Sequence, residues 1–533
     1  MSLLRVSNLT ISSAQLSLVK GISFEIQKGE ILAVVGESGS GKSLTCLSFL
    51  NLLPASLKCS GNITFFNQDG NELELLNLSS KERSALALKK ISYVFQEPLS
   101  ALNPVQRCGK QILENIQLCG IKGESKQTAK ARELLEMVEL NDFEKVMQAY
   151  PFELSGGQRQ RVMIAMALAG NPDLIVADEP TTALDVLLQE EILGLIKKLC
   201  KQYGKSVLLV SHDLDAVRQF SDRIMVMYKG EIVESGSVSD IIDNPQQLYT
   251  KALLACKPRP DKKGFALKTI ADYNDDSITD IALPELPAND EQILKVHLLH
   301  KEFHKDQKTF RALKGISFNM NRGQSIGLIG ESGSGKSTIS KILVDLEKAS
   351  GGEVEFNFDN SLPLSSNVQM IFQDPFSALN PSLKIGTAIS EVIAHHQPEL
   401  SNSQIQSLID ELLLKVGLQA TDKNKYPSDF SGGQRQRICI ARALAAKPKL
   451  LICDESTSAL DLSVQAQILN LMKELQISEQ LSILMITHSM AVAAWFCSYL
   501  IVLKDGYIVE QGKTSLLINQ PSADYTKAMV AHI

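Results

Sequence analysis

The chain has 533 residues, 44% of them hydrophobic and 21% charged, with a formal net charge of −6. That balance excludes disorder over most of the chain, and the length exceeds what one ordinary hydrophobic core organises. The acidic total offers no basic field to nucleic acid; no run of roughly 18–20 apolar residues is present to span a membrane; and MSLLRVSNLTISSAQ does not read as a signal peptide.

In chain order, ILAVV at 31–35 reads as a buried strand, followed by the glycine loop GESGSGKS at 36–43 and a helix with apolar Leu44, Leu47, Leu50 and Leu53. VFQEPLSALNP follows at 94–104, beyond KERSALALKK at 81–90, which reads as a solvated helix face. RELLEMVEL at 132–140 suggests a helical insertion ahead of SGGQRQR at 155–161. LIVAD at 174–178 and VLLVS at 207–211 are further buried strands, and Val186, Leu187, Leu193 and Ile196 mark a helix face between them.

The whole pattern then returns. GESGSGKS recurs at 330–337, IFQDPFSALNP at 371–381, SGGQRQR at 431–437 and CDESTSALD at 453–461, matching ADEPTTALD at 177–185. From SGGQ onward the separation is a constant 276 residues, and SHDL at 211–214 is matched by THSM at 487–490. One domain type is present twice, over 1–256 and 291–533. Residues 257–290, with four prolines and mixed charge, read as a linker; as a flexible coil it would span about 30 Å. SLIDELLLKVGL at 407–418 reads as a helix and IVLKDGYIVE at 501–510 as a hairpin turning on Asp-Gly. Strands alternating with helices imply a mainly parallel, doubly wound α/β sheet in each copy.

The glycine loops carry the plainest chemistry. Gly36, Gly39 and Gly41, and Gly330, Gly333 and Gly335, let the backbone curl so that N–H groups, with Ser38 and Ser332 in the loop, face phosphates. Lys42 and Lys336 supply a charge between the phosphates, and the Ser43 and Ser337 hydroxyls suit Mg²⁺. Asp178 and Asp454 end apolar strands, where an aspartate holds Mg²⁺; Glu179 and Glu455 next to them are placed to orient or deprotonate water. His212 and His488 each lie 34 residues beyond the aspartate, at a strand tip, in reach of a γ-phosphate. Ser155, Gly156, Gly157 and Gln158, and Ser431, Gly432, Gly433 and Gln434, open helices and form a second anion-binding surface. Each copy thus has two phosphate surfaces for one nucleotide, which head-to-tail pairing of the copies resolves.

The ordered set resembles the ATP-binding cassette (ABC) ATPases: Walker A, a Q-loop glutamine, the LSGGQ signature, Walker B with its glutamate, the D-loop ALD and the H-loop histidine, each twice. The resemblance implies two tandem P-loop domains, each with a mainly parallel core sheet, an antiparallel β subdomain and a helical subdomain. It makes Gln96 and Gln373 the Mg²⁺ and coupling glutamines, and Asp185 and Asp461 the D-loop aspartates. It places an aromatic under the adenine, Phe303 in the second copy but Ser13 in the first, so nucleotide binding should be weaker at the Lys42 site. Phe430 and Ser456 depart from the family's leucine and proline but spare the catalytic groups, so both sites should hydrolyse ATP.

The SALNP segments and the tails NPQQLYTKALL at 244–254 and QPSADYTKAM at 520–529 look like the peptide/nickel importer branch, and the tandem arrangement like fused peptide-importer ATPases of the Yej type. The resemblance implies ATP and Mg²⁺ as cofactors, two transmembrane permease subunits as partners, an extracytoplasmic substrate-binding protein acting indirectly, no nucleic acid, and a peripheral place on the cytoplasmic side of the inner membrane. Di- or oligopeptide is the expected substrate, with nickel or glutathione behind it. The alternative of another class is a soluble tandem ABC ATPase acting on ribosomes or DNA, disfavoured by the acidic charge and by nine scattered cysteines without a Cys-x-x-Cys pair. Some relatives carry a cysteine cluster after the first core, where this chain has Cys256 alone, and the sequence leaves the question of an iron–sulfur site open. His297, His300 and His304 read as a solvated strand edge, His395-His396 as a polar turn, and Trp495 as packing.

Overall fold

Short runs of consecutively buried residues set the frame. Ile31–Val35, Leu174–Asp178 and Ser206–Val210 are buried at every position, as are Ser325–Ile329, Leu450–Asp454 and Ser482–Thr487. Only strands covered on both faces tolerate this pattern. The computed structural model describes residues 1–67, 72–181, 184–270, 272, 280–284, 289–305, 308–358, 362–457 and 460–531. They divide into two units, Met1–Leu254 and Ala255–Ile533.

In the first unit the core sheet runs Glu231–Ser237, Arg223–Tyr228, Ile31–Val35, Ser206–Val210, Leu174–Asp178, Ile91–Val94. All neighbours are parallel except the first pair, a hairpin. Alternate side chains enter different cores. Ile31, Ile175, Ala177, Val207 and Leu209 pack with the helices, including Ile112, Leu134, Ile164 and Leu193. Leu32, Val34, Leu174, Val176, Leu208 and Val210 pack with Leu4, Val6, Ile22 and Ile63 of an antiparallel sheet ordered Ser17–Gln27, Ser2–Ser12, Lys58–Phe66, Glu72–Glu74. Each such side chain contributes about 1.5–3 kcal/mol by burial.

The second unit repeats the plan, with Val368–Ile371, Leu450–Asp454, Ser482–Thr487, Ser325–Ile329, Tyr499–Lys504 and Tyr507–Lys513 in its core sheet. Its antiparallel sheet holds Lys308–Asn321, Gln292–Lys305 and Gly351–Phe356. Asp505 and Gly506, with φ of 50° and 81°, make the hairpin turn that the Asp-Gly pair implies. The helices Glu124–Met137 and Asn402–Lys415 occupy the stretches read as helical. His395 and His396 close the helix Ile385–His396 and do not form a separate turn.

The stretch read as a flexible linker behaves differently in its described part. Cys256 and Leu267 are buried in the second unit's core. Asn470 grips Leu267 by two hydrogen bonds, accepting from its N–H at 2.9 Å and donating to its C=O at 2.7 Å. The Trp495 indole N–H donates to the carbonyls of Lys262 and Phe265, both at 3.2 Å, and Asp280 pairs with Lys262 and Lys268. A strap of residues 256–270 thus folds onto the helices Leu462–Ser478 and Met490–Phe496, and Trp495 packs beneath it. Residues 271, 273–279 and 285–288 of the linker lie outside the described residues. The composition signalled a linker because prolines and charges suit a chain without regular structure, and the strap has almost none; its order comes from side chains more than 200 positions downstream.

Candidate active site

Parallel register brings three strand ends to one edge. Asp178 pairs with Val210, and Val210 with Val34, so the glycine loop, the Asp178-Glu179 step and His212 emerge side by side. Gly36, Gly39 and Gly41 adopt φ of 147°, 77° and 99°, a region closed to most L side chains. A Cβ on Gly36 would stand 2.1 Å from the Met227 carbonyl oxygen, and one on Gly330 2.2 Å from that of Leu503, so nothing larger than glycine starts either loop. Lys42 and Lys336 are buried, and each ammonium donates to two loop carbonyls at 2.7–2.8 Å.

The helix after each loop turns its serine toward the aspartate. Ser43 Oγ donates to Asp178 Oδ1 at 3.1 Å and Ser337 Oγ to Asp454 Oδ1 at 3.3 Å. Burial raises both aspartate pKa values above the usual range. A buried hard carboxylate beside a serine hydroxyl is a donor set that fits a hard divalent cation. The other aspartate oxygen is held differently in the two units: Tyr93 donates to Asp178 at 2.6 Å, whereas Ser340 donates to Asp454 at 3.4 Å.

Glu179 and Glu455 both take φ of 45°, so the chain turns sharply on leaving the strand and the glutamate projects away from the aspartate. Gln96 Nε2 donates to Glu179 at 3.0 Å, and His212 Nδ1 stands 3.2 Å from the same oxygen. Gln373 donates to Glu455 at 2.7 Å, with His488 Nδ1 3.9 Å away. Burial raises the Glu455 pKa, but His488 and Lys336 outweigh it and hold the group below its ordinary value.

The signature residues lie elsewhere in each unit. Ser155 and Gln158 form a capping box on the helix Gly156–Leu168, each side chain bonded to the other's backbone N–H; Ser431 and Gln434 repeat it on Gly432–Leu444. Gly157 and Gly433 admit Leu188 and Val464, which a Cβ would meet at 3.1 and 2.3 Å. Asp185 caps the helix Val186–Tyr203, and Asp461 precedes Leu462–Ser478. Ala183 and Ala459 of the ALD triplets lie outside the described residues.

Phe303 is half-exposed on the long hairpin, opposite Phe310, with the Lys301 ammonium 4.8 Å from its ring centroid. Ser13 instead closes a tight turn, its hydroxyl accepting from the N–H groups of Gln15 and Leu16. Sequence reasoning missed Tyr93 and Ser340, because neither belongs to a motif and the fold alone brings them to the aspartates.

The ABC transporter family profile matches residues 19–182 and 313–458. The chain belongs to the ABC transporter family. It is an ATP-binding subunit of that family, and such proteins are ATPases. The profile of the oligopeptide/dipeptide transporter C-terminal region matches residues 233–278. The chain is 40% identical over 524 residues to the peptidoglycan transport ATP-binding protein YejF of Agrobacterium fabrum, covering 96% of this chain and 92% of that one. It is 37% identical over 540 residues to the glutathione import ATP-binding protein GsiA of Pectobacterium atrosepticum, covering 97% and 86%. The solved structure of RNase-L Inhibitor matches with a TM-score of 0.59 at 19% identity, covering 93% of this chain and 88% of that one, a likeness of fold. Among the described residues no helix of this ABC protein is long and apolar enough to cross a membrane.

Proposed function

We propose that the chain is the fused ATPase of a peptide importer, with ATP sites built on Lys42 and Lys336. The observation that carries this reading is the duplicated contact set of glutamine, glutamate and histidine at the edge that bears the glycine loop. In each site the loop N–H groups and the lysine bind the phosphates. Ser43, Asp178 and Gln96, and Ser337, Asp454 and Gln373, would hold Mg²⁺, which when bound would supply positive charge to offset that of the phosphates. Glu179 and Glu455 orient the attacking water and accept its proton; His212 and His488 keep the carboxylate in line and contact the γ-phosphate. Ser155, Gly156, Gly157 and Gln158, and their counterparts at 431–434, offer a second phosphate-binding surface at the start of a helix in each copy.

Two transmembrane permease subunits are the partners, at the cytoplasmic face of the membrane, with a substrate-binding protein acting through them. Exposed apolar side chains support a docking role beside each glutamine: Phe95 and Leu99 in one unit, Phe372 and Phe376 in the other. A cleft of about 180 Å³ lined by Tyr93, Phe95, Ala101, Leu102, Asn115 and Met163 adjoins the first pair. The match to the oligopeptide/dipeptide transporter region favours peptide over nickel, and peptidoglycan and glutathione, for which YejF and GsiA are named, contain peptides. The reading as a ribosome or DNA ATPase has likeness of fold alone. Membrane purification of the tagged chain should bring down two polytopic proteins and a binding protein carrying a peptide. Recovery with ribosomes and no polytopic partner would refute the reading.

A further inference from the structure

Two tail helices treat two phosphate loops alike. Tyr249, on the helix Leu248–Ala255, accepts a hydrogen bond from the Glu37 backbone N–H at 3.2 Å. Tyr525, on the helix Asp524–Val530, accepts one from the Glu331 N–H at 3.1 Å. The peptide plane that carries each N–H also carries the preceding carbonyl, and there the loop lysine is bonded: Lys42 Nζ to Gly36 O at 2.8 Å, Lys336 Nζ to Gly330 O at 2.7 Å. A planar peptide cannot turn one end without the other. The phenol therefore sets the direction of the carbonyl that steadies the ammonium.

The helix that delivers each phenol is itself tied down. Glu234 accepts from the N–H groups of Gln246 and Gln247 at 2.7 and 3.2 Å, and Glu510 from those of Ser522 and Ala523 at 2.9 and 3.1 Å. Both glutamates lie on the strand after a hairpin turn whose glycine N–H reaches the same phosphate loop, Gly230 to Ser40 O at 3.1 Å and Gly506 to Ser334 O at 3.2 Å. Hairpin, tail helix and loop close a triangle. The ring contacts, by contrast, differ: Tyr249 stacks on Tyr228 at 4.2 Å, while Tyr525 faces the Lys504 ammonium at 4.7 Å. The hydroxyl contact is common to both units.

We propose that Tyr249 and Tyr525 are positioning residues for nucleotide binding, bracing the peptide plane that holds the phosphate-loop lysine. The C-terminal region of the first domain, and its repeat in the second, then act as a brace of the ATP site. This rests on reading Lys42 and Lys336 as phosphate ligands.

The test uses the full-length protein with Tyr249→Phe, Tyr525→Phe and both together, each keeping its ring. Titration with a fluorescent ATP analogue and steady-state ATP hydrolysis are read beside amide exchange of peptides covering 36–43 and 330–337. Losing one hydrogen bond should raise the Kd and KM for ATP about five-fold per altered site, with kcat within about two-fold. Exchange should quicken in the loop peptide and stay unchanged in the tail helix. Tyr228→Leu, which removes the ring stack and keeps the Tyr249 hydroxyl, should leave affinity within about two-fold. Unchanged Kd and loop exchange in the Phe variants would overturn the proposal, as would a Tyr228→Leu loss as large as that of Tyr249→Phe. Lys42→Ala with Lys336→Ala should abolish binding; wild-type binding there would overturn the site assignment and the brace with it.

Discussion

Asn470→Ala tests whether the strap is bound to the second unit. Asn470 supplies both hydrogen bonds to the Leu267 backbone, and nearby the Trp495 indole holds two carbonyls of the same segment. Two bonds of about 1 kcal/mol each make the substitution cost about 2 kcal/mol of strap docking. That is about a 30-fold rise in the population with the strap detached. Cleavage of a transiently open segment follows that population when closing is fast. Trypsin should therefore cut among Lys262, Lys263 and Lys268 about 30-fold faster in the variant. Trp495 is the only tryptophan in the chain and is 1% exposed, so its fluorescence reports the same event without a label. The wild-type emission should be blue-shifted and shielded from acrylamide, and the variant more easily quenched. Equal cleavage rates and equal quenching would refute the strap.

Phe303→Ala should weaken nucleotide binding in the second unit by about 5- to 150-fold, because stacking on a base contributes about 1–3 kcal/mol; a two-site titration should then lose the tighter of two unequal affinities. Tyr93→Phe removes the donor at 2.6 Å from Asp178, whose pKa burial already raises, so the carboxylate should become more basic. Mn²⁺ binding with ATP, followed by electron paramagnetic resonance, should weaken about ten-fold at the first site only. Burial alone would raise the Glu510 pKa, but the N–H groups of Ser522 and Ala523, with the Thr526 and Ser522 hydroxyls, draw it down to about 2. Its stabilisation is thus fully present above the ordinary value of 4.5 and lost as pH falls toward 2. Thermal unfolding of Glu510→Gln should differ from wild type at pH 7 and converge with it as the pH approaches 2.

Sequence and structure agree where the signal is local. ILAVV and LIVAD fold as buried strands because four or five consecutive apolar residues without alternation suit a doubly covered sheet, and the Asp505-Gly506 turn follows from backbone freedom at two residues. The glycine loop, the carboxylates, the glutamines and the histidines were legible as motifs, and parallel register is what draws Gln96, Glu179 and His212 into contact. Contacts set by tertiary placement were not legible. Tyr93 reaches Asp178 across 85 positions, Tyr249 reaches Glu37 across 212, and Trp495 anchors a segment 230 positions earlier. The repeated LYTKA and DYTKA tails were visible, but repetition alone does not say that a hydroxyl meets a phosphate loop.

In the proposed function two sites hydrolyse ATP, each through its Walker B glutamate. Glu179→Gln combined with Glu455→Gln keeps the shape of each site and removes both bases. Single-turnover hydrolysis beside ATP binding should show nucleotide bound as in wild type and turnover reduced at least about 100-fold. Hydrolysis within ten-fold of wild type in that double variant would contradict the account.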